Sequence, residues 1–296
     1  MRTTPAISEH SPDRGTLYLV ATPIGNLEDI TLRALRILRE VDVVAAEGVE
    51  HTRKLCRHFE IRARLTSYNQ NNRRRKEPEL LKKLRAGRCV ALVTNAGTPG
   101  ISDPGSELVR RAREEGIPVL AVPGPCAAAA ALSASGFRSD GFLFAGFLSS
   151  RPGRRRRELE QLTSETRTLV FYEAPHRIQA MLQDLCTVLG DRMGAVVREM
   201  TKVHEETLRG SLSRLAEQMD EDRARGEIVV LVEGAEEGPA VHVSKDSELR
   251  KRIEAMLQRG DLSLGDVARK LSLEQGVGYR HIYRMCLSVK ASQRNP

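Results

Sequence analysis

Val93-Thr94-Asn95-Ala96-Gly97-Thr98-Pro99-Gly100-Ile101-Ser102-Asp103-Pro104-Gly105 lies between an apolar run at residues 89–92 and a helical pattern at 108–113. The run reads as a buried strand. A loop leaving a strand end with three glycines and two prolines lets backbone approach a ligand closely while staying stiff. In an open α/β sheet, ligands collect outside the carboxyl ends of the strands. Alone, such a loop is more often a plain Gly/Pro turn. Here it has company. Thr22-Pro23-Ile24-Gly25-Asn26 follows the apolar run 17–21, and Val122-Pro123-Gly124-Pro125-Cys126 follows a third run. Three such loops in one parallel sheet face one crevice.

The 296 residues are 40% hydrophobic and 29% charged, ordinary values for a folded globular chain. At about 100–200 residues per domain the length predicts two or three domains. The net charge of +8 favours a polyanionic partner, because Lys and Arg displace counterions from phosphates. Cys56, Cys89, Cys126, Cys186 and Cys286 are scattered without a Cys-x-x-Cys pair, which argues against a metal site or a disulfide framework. Residues 1–15 lack the apolar core of a signal peptide, and no apolar run reaches membrane-spanning length. A cytoplasmic protein without membrane contact is expected.

Outward from the opening loop, residues 15–124 alternate strand and helix patterns, which predicts a parallel sheet covered on both faces. Leu32, Leu35 and Leu38 mark one face of a helix with Thr31 as its N-cap. Residues 41–46 form a buried strand that delivers Glu47 to its end, and Leu80, Leu81 and Leu84 mark a helix closed by Gly87. Residues 117–122 complete the pattern as a fifth strand. After a small, apolar helix at 126–135, a second α/β unit has strands at 141–147, 168–173, 195–199, 206–210 and 228–232 and helices at 178–189 and 212–222. Its segment 195–210 resembles a hairpin, so some antiparallel pairing is expected. Residues 235–240 read as a linker to three short helices at 247–258, 264–271 and 279–289. Residues 241–296 hold eleven Lys/Arg against six Asp/Glu. A basic three-helix unit with a turn at Gly276 and Gly278 has the outline of a helix-turn-helix module, or of a helical cap for packing or dimerisation. The boundaries are thus a disordered tail at 1–14, α/β domains at 15–124 and 125–235, and a linker with basic helices at 236–296.

Two arginine runs are candidate phosphate contacts. Arg73, Arg74 and Arg75 with Lys76 are placed in a polar loop, and Arg154, Arg155, Arg156 and Arg157 follow the strand ending near Phe147. Segment 171–177 puts Glu173, His176 and Arg177 at a strand-to-helix junction, and segment 198–206 ends another strand with Glu199, Lys202 and Glu205. Either is equally a capped turn with surface ion pairs. Together they bring acid, base and cation candidates to one end of a second sheet.

These stretches together resemble the tetrapyrrole-methylase superfamily, and within it the ribosomal RNA small subunit methyltransferase I group. The resemblance covers residues 15–234, through segments 19–29, 96–99 with 102–105, 123–127, 171–177, 198–205 and 226–229. It implies two α/β domains with S-adenosylmethionine in the cleft between them, a homodimer, and methylation of a cytidine 2′-hydroxyl in 16S rRNA. It also implies that Pro23, Gly25, Asn95, Ala96, Gly97, Thr98, Pro123, Cys126 and Ala127 grip the cofactor.

The chain departs from the family pattern at two places. Glu47-Gly48-Val49-Glu50 stands where the family usually has Glu-Asp-Thr-Arg, and Asn95 stands where it usually has aspartate. A ribose hydroxyl is a poor nucleophile, so a base or a nearby cation must help remove its proton. Glu173, Glu199 and Lys202, with His176 behind them, are the expected catalytic group. The alternatives are a same-fold methylase acting on a tetrapyrrole or another small molecule, and a non-catalytic RNA-binding relative.

Overall fold

The computed structural model describes residues 15–219, 225–236, 242–258, 262–275 and 279–292. The chain divides into a unit at residues 1–235 and a unit at 236–296.

The first half of the larger unit is a five-stranded parallel sheet of β1 (Leu17–Val20), β2 (Val43–Ala46), β3 (Leu65–Ser67), β4 (Val90–Val93) and β5 (Val119–Val122). Its order is β3-β2-β4-β1-β5. Both faces are covered, so the strands inside the edge at β3 are apolar throughout and send alternate residues to opposite sides. Val90 and Leu92 pack with Leu80, Leu81 and Leu84 of α3 (Arg73–Arg85) and with Leu108 and Ala112 of α4 (Ser106–Glu114). Ala91 and Val93 face Ile37 and Leu38 of α1 (Leu32–Glu40) and Leu55 and Cys56 of α2 (Val49–His58). Burying each such leucine contributes about 1.5–3 kcal/mol.

Thr31 caps α1, its hydroxyl accepting from the Ala34 N–H at 3.1 Å. The buried face of α1 is Ala34, Ile37 and Leu38, and not the Leu32–Leu35–Leu38 stripe: Leu32 is 86% exposed. Strand β3 and helix α2 are additions to the sequence reading. Arg73, Arg74 and Arg75 are the first turn of α3 and not part of a loop. The Asn69 side chain accepts from the Asn71 and Asn72 N–H groups, folding the turn that feeds this helix. Glu77, buried and bonded to the Tyr68 hydroxyl at 3.0 Å, anchors it.

The second half is a mixed sheet of β6 (Phe142–Phe147), β7 (Thr168–Glu173), β8 (Met193–Arg198), β9 (Glu206–Ser211) and β10 (Ile228–Val232), in the order β6-β7-β10-β8-β9. Only β6 and β7 pair in parallel; β10 runs antiparallel to both β7 and β8, and β8–β9 is the expected hairpin. Ile228, Val230 and Val232 face Leu159 of α6 (Pro152–Glu160), Ile178 and Leu182 of α7 (Ile178–Leu189) and Leu215 of α8 (Leu212–Gln218). Val229 and Leu231 face Ala128, Ala131 and Leu132 of α5 (Ala127–Ser135). That period of two explains why β10 is apolar at every position.

The unit at 236–296 comprises α9 (His242–Gln258), α10 (Leu264–Gln275) and α11 (Tyr279–Ser292) around Ile253, Val267, Leu271, Ile282 and Cys286. The tail 1–14, the end of the 212–222 helix, most of the linker and the turn at Gly276 and Gly278 lie outside the described residues. Among the described residues, no helix is long and apolar enough to cross a membrane.

Candidate active site

The loops after β1, β4 and β5 are adjacent because those strands are neighbours, and they are laced together. Thr22 and Gly97 exchange two backbone hydrogen bonds of 2.9 Å, and the Thr22 hydroxyl donates to the Thr94 carbonyl at 3.2 Å. The Thr98 hydroxyl donates to the Pro125 carbonyl at 3.0 Å. Gly97 has φ of +77°, a left-handed conformation that costs other residues strain. The result is a rim whose shape is set by backbone.

Facing this rim are the ends of the second sheet. Because β10 runs antiparallel to β7 and β8, its first residue, Ile228, is level with Glu173 and Arg198. Glu173, the β8–β9 loop and the residues entering β10 therefore share one end. Glu199 and Thr201 in that loop have φ of +50° and +66°. Such strain, about 1–3 kcal/mol per residue, persists where surrounding contacts hold it. Lys202 Nζ lies 2.9 Å from Glu199 Oε1, and the Thr201 N–H donates to Glu205 at 2.7 Å. The loop presses on Gly25: a Cβ there would sit 2.6 Å from Lys202 Cγ and 2.8 Å from the Met200 carbonyl.

Two cavities open between these parts. The first, about 410 Å³, is lined by the β4 loop (Asn95, Ala96, Gly97, Thr98), Cys126, Ala127 and Tyr172. Among the described residues its ionisable carboxyl groups are Glu47, Asp103, Glu173 and Glu227, and no Lys, Arg or His lines it. Burial and the neighbouring Glu47 carboxylate push the Asp103 carboxyl up to about 6. Burial also raises Glu173, against the pull of the Ala174 N–H at 2.7 Å and of Arg177. Glu173 Oε2 is buried 3.1 Å from the Arg177 guanidinium, yet no hydrogen bond is aligned on it. A pocket lined by four carboxyl groups and, among the described residues, by no basic side chain fits a cationic ligand.

The second cavity, about 760 Å³, lies beyond Asn95 and Ala96. Pro23 and Gly25 form one side, Lys202 another, and His51, Lys54 and His58 of α2 a third. Among the described residues Glu227 is its one lining carboxylate, 3.9 Å from Lys202 Nζ and shared with the first cavity. The Lys202 ammonium holds the Glu199 carboxyl below its usual range.

The structure thus brings Asn95, Ala96, Gly97, Thr98, Cys126, Ala127 and Glu173 to one cavity and Pro23, Gly25 and Lys202 to the next, with Glu199 behind Lys202. Pro123 and His176 are exposed and line neither. The seven arginines of the two runs also line neither. Arg155 corrects the phosphate expectation most sharply. It is 3% exposed and bonded to Asp184 at 2.7 Å, with Arg156 on the other Asp184 oxygen at 2.7 Å. Removing one partner from such a buried pair costs about 3–5 kcal/mol. Arg154 pairs with Glu158 at 3.0 Å.

Asp103, Glu227, His51 and Lys54 escaped the sequence reading as site residues. Asp103 had a signal, a carboxylate inside the glycine-rich loop. Glu227 lay in segment 226–229 of the family resemblance, but its place in the cleft depends on the direction of β10.

The family model described as Tetrapyrrole (Corrin/Porphyrin) Methylases matches residues 16–216. A protein of Synechocystis sp. named "Ribosomal RNA small subunit methyltransferase I" is 44% identical over 280 residues, covering 94% of this chain and 99% of the relative. The protein of that name from Escherichia coli O157:H7 is 44% identical over 283 residues, covering 93% and 95%. Among solved structures, cobalt precorrin-4 methyltransferase shares the fold with a TM-score of 0.57 at 18% identity, covering 78% of this chain and 97% of that one. Uroporphyrin-III C-methyltransferase from Thermus thermophilus, complexed with S-adenosylhomocysteine, gives 0.53 at 24%, covering 73% and 97%.

Proposed function

Since the chain belongs to the tetrapyrrole methylase family, within its ribosomal RNA small subunit methyltransferase I group, we propose that it transfers a methyl group from S-adenosylmethionine to the 2′-hydroxyl of a cytidine in 16S rRNA. Methyl transfer and small-subunit rRNA as substrate follow from that membership. The ribose oxygen, the cytidine, a homodimer and action in the cytoplasm on the small subunit or its RNA are the finer parts of the proposal.

One observation carries the reading: a cavity lined by carboxylates meets a cavity lined by lysines and histidines at Asn95 and Ala96. S-adenosylmethionine, when bound, supplies an electrophilic methyl on a sulfonium cation. The first cavity fits such a group, since it combines about 410 Å³ with four carboxyl groups, one of which, Glu173, has an oxygen on which no hydrogen bond is aligned. Gly97, Thr98, Cys126 and Ala127 would form its walls.

The acceptor then enters from the second cavity. Methyl transfer to oxygen depends chiefly on positioning the nucleophile roughly 3 Å from the methyl in line with the leaving sulfur. Lys202 offers a cation beside the oxygen as its proton leaves to solvent, and Glu199, ion-paired with it at 2.9 Å, holds that ammonium in place. Glu173 is too enclosed by Ala174 and Arg177 to reach the acceptor side, so its part is to answer positive charge in the first cavity.

The test is transfer of labelled methyl to small-subunit particles or 16S rRNA, with the product mapped by protection from alkaline cleavage. Protection at one cytidine is expected, because methylation removes the attacking hydroxyl. Label on a base, or transfer to a uroporphyrinogen-type ring in place of RNA, would overturn the proposal.

A further inference from the structure

The arginine runs do not explain how an RNA strand is held beside the reacting ribose, since they line neither cavity. Helix α2 supplies what they do not. His51, Lys54 and His58 follow one another at three and four residues, so they share a face. That face spans roughly 10 Å at 1.5 Å per residue. All three are exposed and line the second cavity across from Pro23, Gly25 and Lys202. The opposite side is different: Arg53 and Arg57 border a separate depression with Cys56 and Ile61, and Arg53 is engaged by Glu50.

Charge decides the ligand class. Among the described residues, the second cavity holds two lysines and two histidines against one carboxylate, which already lies near Lys202. Lys54 therefore has no carboxylate answering it within the cavity, and the imidazoles add N–H donors on both sides of it. A cavity of about 760 Å³ exceeds what one sugar needs and leaves room for the flanking backbone. We propose that this face of α2 is the track for the phosphodiester backbone of the acceptor RNA, with Lys54 as its charged anchor and His51 and His58 as flanking donors. The inference rests on RNA being the substrate and adds which residues grip it.

The experiment compares Lys54→Gln, the triple variant His51→Gln/Lys54→Gln/His58→Gln, Lys54→Arg, Arg53→Gln/Arg57→Gln and Arg73→Gln/Arg74→Gln/Arg75→Gln in the full chain. Affinity for 16S rRNA is read at several salt concentrations, together with S-adenosylhomocysteine affinity and the kcat and KM of methyl transfer. Lys54→Gln is expected to weaken RNA binding about fivefold and lower the salt slope by about 0.7, the value for one phosphate contact on a single strand. The triple variant should lose more, Lys54→Arg should recover the slope, and S-adenosylhomocysteine should bind all five variants within about twofold of wild type, which also reports that they fold. An unchanged slope in the triple variant, with a loss in either arginine variant, would move the RNA path off this face and overturn the inference. Failure of the wild type to methylate any RNA would sink the functional reading instead, while the binding arms would still report on α2.

Discussion

The two cavities share Ile24, Asn95, Ala96 and Glu227, yet their linings carry opposite charge. In the first, burial and the neighbouring Glu47 carboxylate let Asp103 hold its proton up to about pH 6. In the second, two lysines and two histidines line the wall with one carboxylate among the described residues. The difference teaches how one cleft can receive a cation and a polyanion side by side: each ligand is attracted on its own side of the wall and resisted on the other. Asn95 suits the boundary because its side-chain amide is neutral, while its backbone N–H donates to Glu47 at 3.1 Å.

The contrast can be broken most severely from the first side. Gly97→Val forces a β-branched residue into a left-handed conformation, with its Cβ 3.5 Å from Ile24. S-adenosylhomocysteine affinity measured by calorimetry should fall on the order of 100-fold, with RNA affinity nearly unchanged. On the second side, Lys202→Met should lower kcat about 100-fold while leaving the S-adenosylhomocysteine dissociation constant near wild type. Equal losses in both would mean that Lys202 only props the strained loop.

Asp103 sharpens the comparison through pH. Its ordinary value is 3.8 and its folded value about 6, so the ligand-free protein keeps a proton that a cation must expel. S-adenosylmethionine affinity should therefore rise about tenfold from pH 5 to pH 7, and Asp103→Asn should flatten that rise. Stability of the free protein runs the other way. The folded state binds the extra proton, so this group's contribution falls as pH rises from about 4 to 6 and is level above. A thermal melting series across that window checks the sign.

The smallest expected effects lie at the wall. Asn95→Asp adds a negative charge between the cavities and should tighten S-adenosylmethionine while weakening RNA, each by about two- to fivefold, read by equilibrium binding. Gly48 is tied to the same position: a Cβ there would sit 2.3 Å from Asn95 Oδ1, so the two departures from the family pattern fit one another. Gly48→Ala should push the Asn95 side chain aside and change both affinities by a similar small factor.

Most of the fold was legible because strands buried on both faces, such as Val90–Val93 and Ile228–Val232, leave continuous apolar runs. Leu65–Ser67 was not, being three half-buried residues at a sheet edge. The cleft loops were legible through their glycines and prolines. Their charge was not, because Glu47, Asp103, Glu173 and Glu227 come from four separate segments and meet only once both sheets are formed. Arg155 misled for a related reason. Within the run 154–157 it resembles its neighbours, and only the helix turn that buries it against Asp184 sets it apart.

The position of β10 bears on how the protein is made. It is the last strand of its unit in sequence, yet it lies in the middle of its sheet, between β7 and β8. A ribosome releases the chain from its N-terminus, so β7 and β8 emerge with their facing edges unpaired until Ile228–Val232 follows. Glu227, the carboxylate common to both cavities, arrives in the same instalment. A nascent chain halted before residue 227 can complete the parallel sheet with its laced loops, but it lacks the strand that joins the other sheet's two halves. Ligand capture therefore waits for the end of that unit's synthesis, and the partly made chain carries open strand edges during the interval.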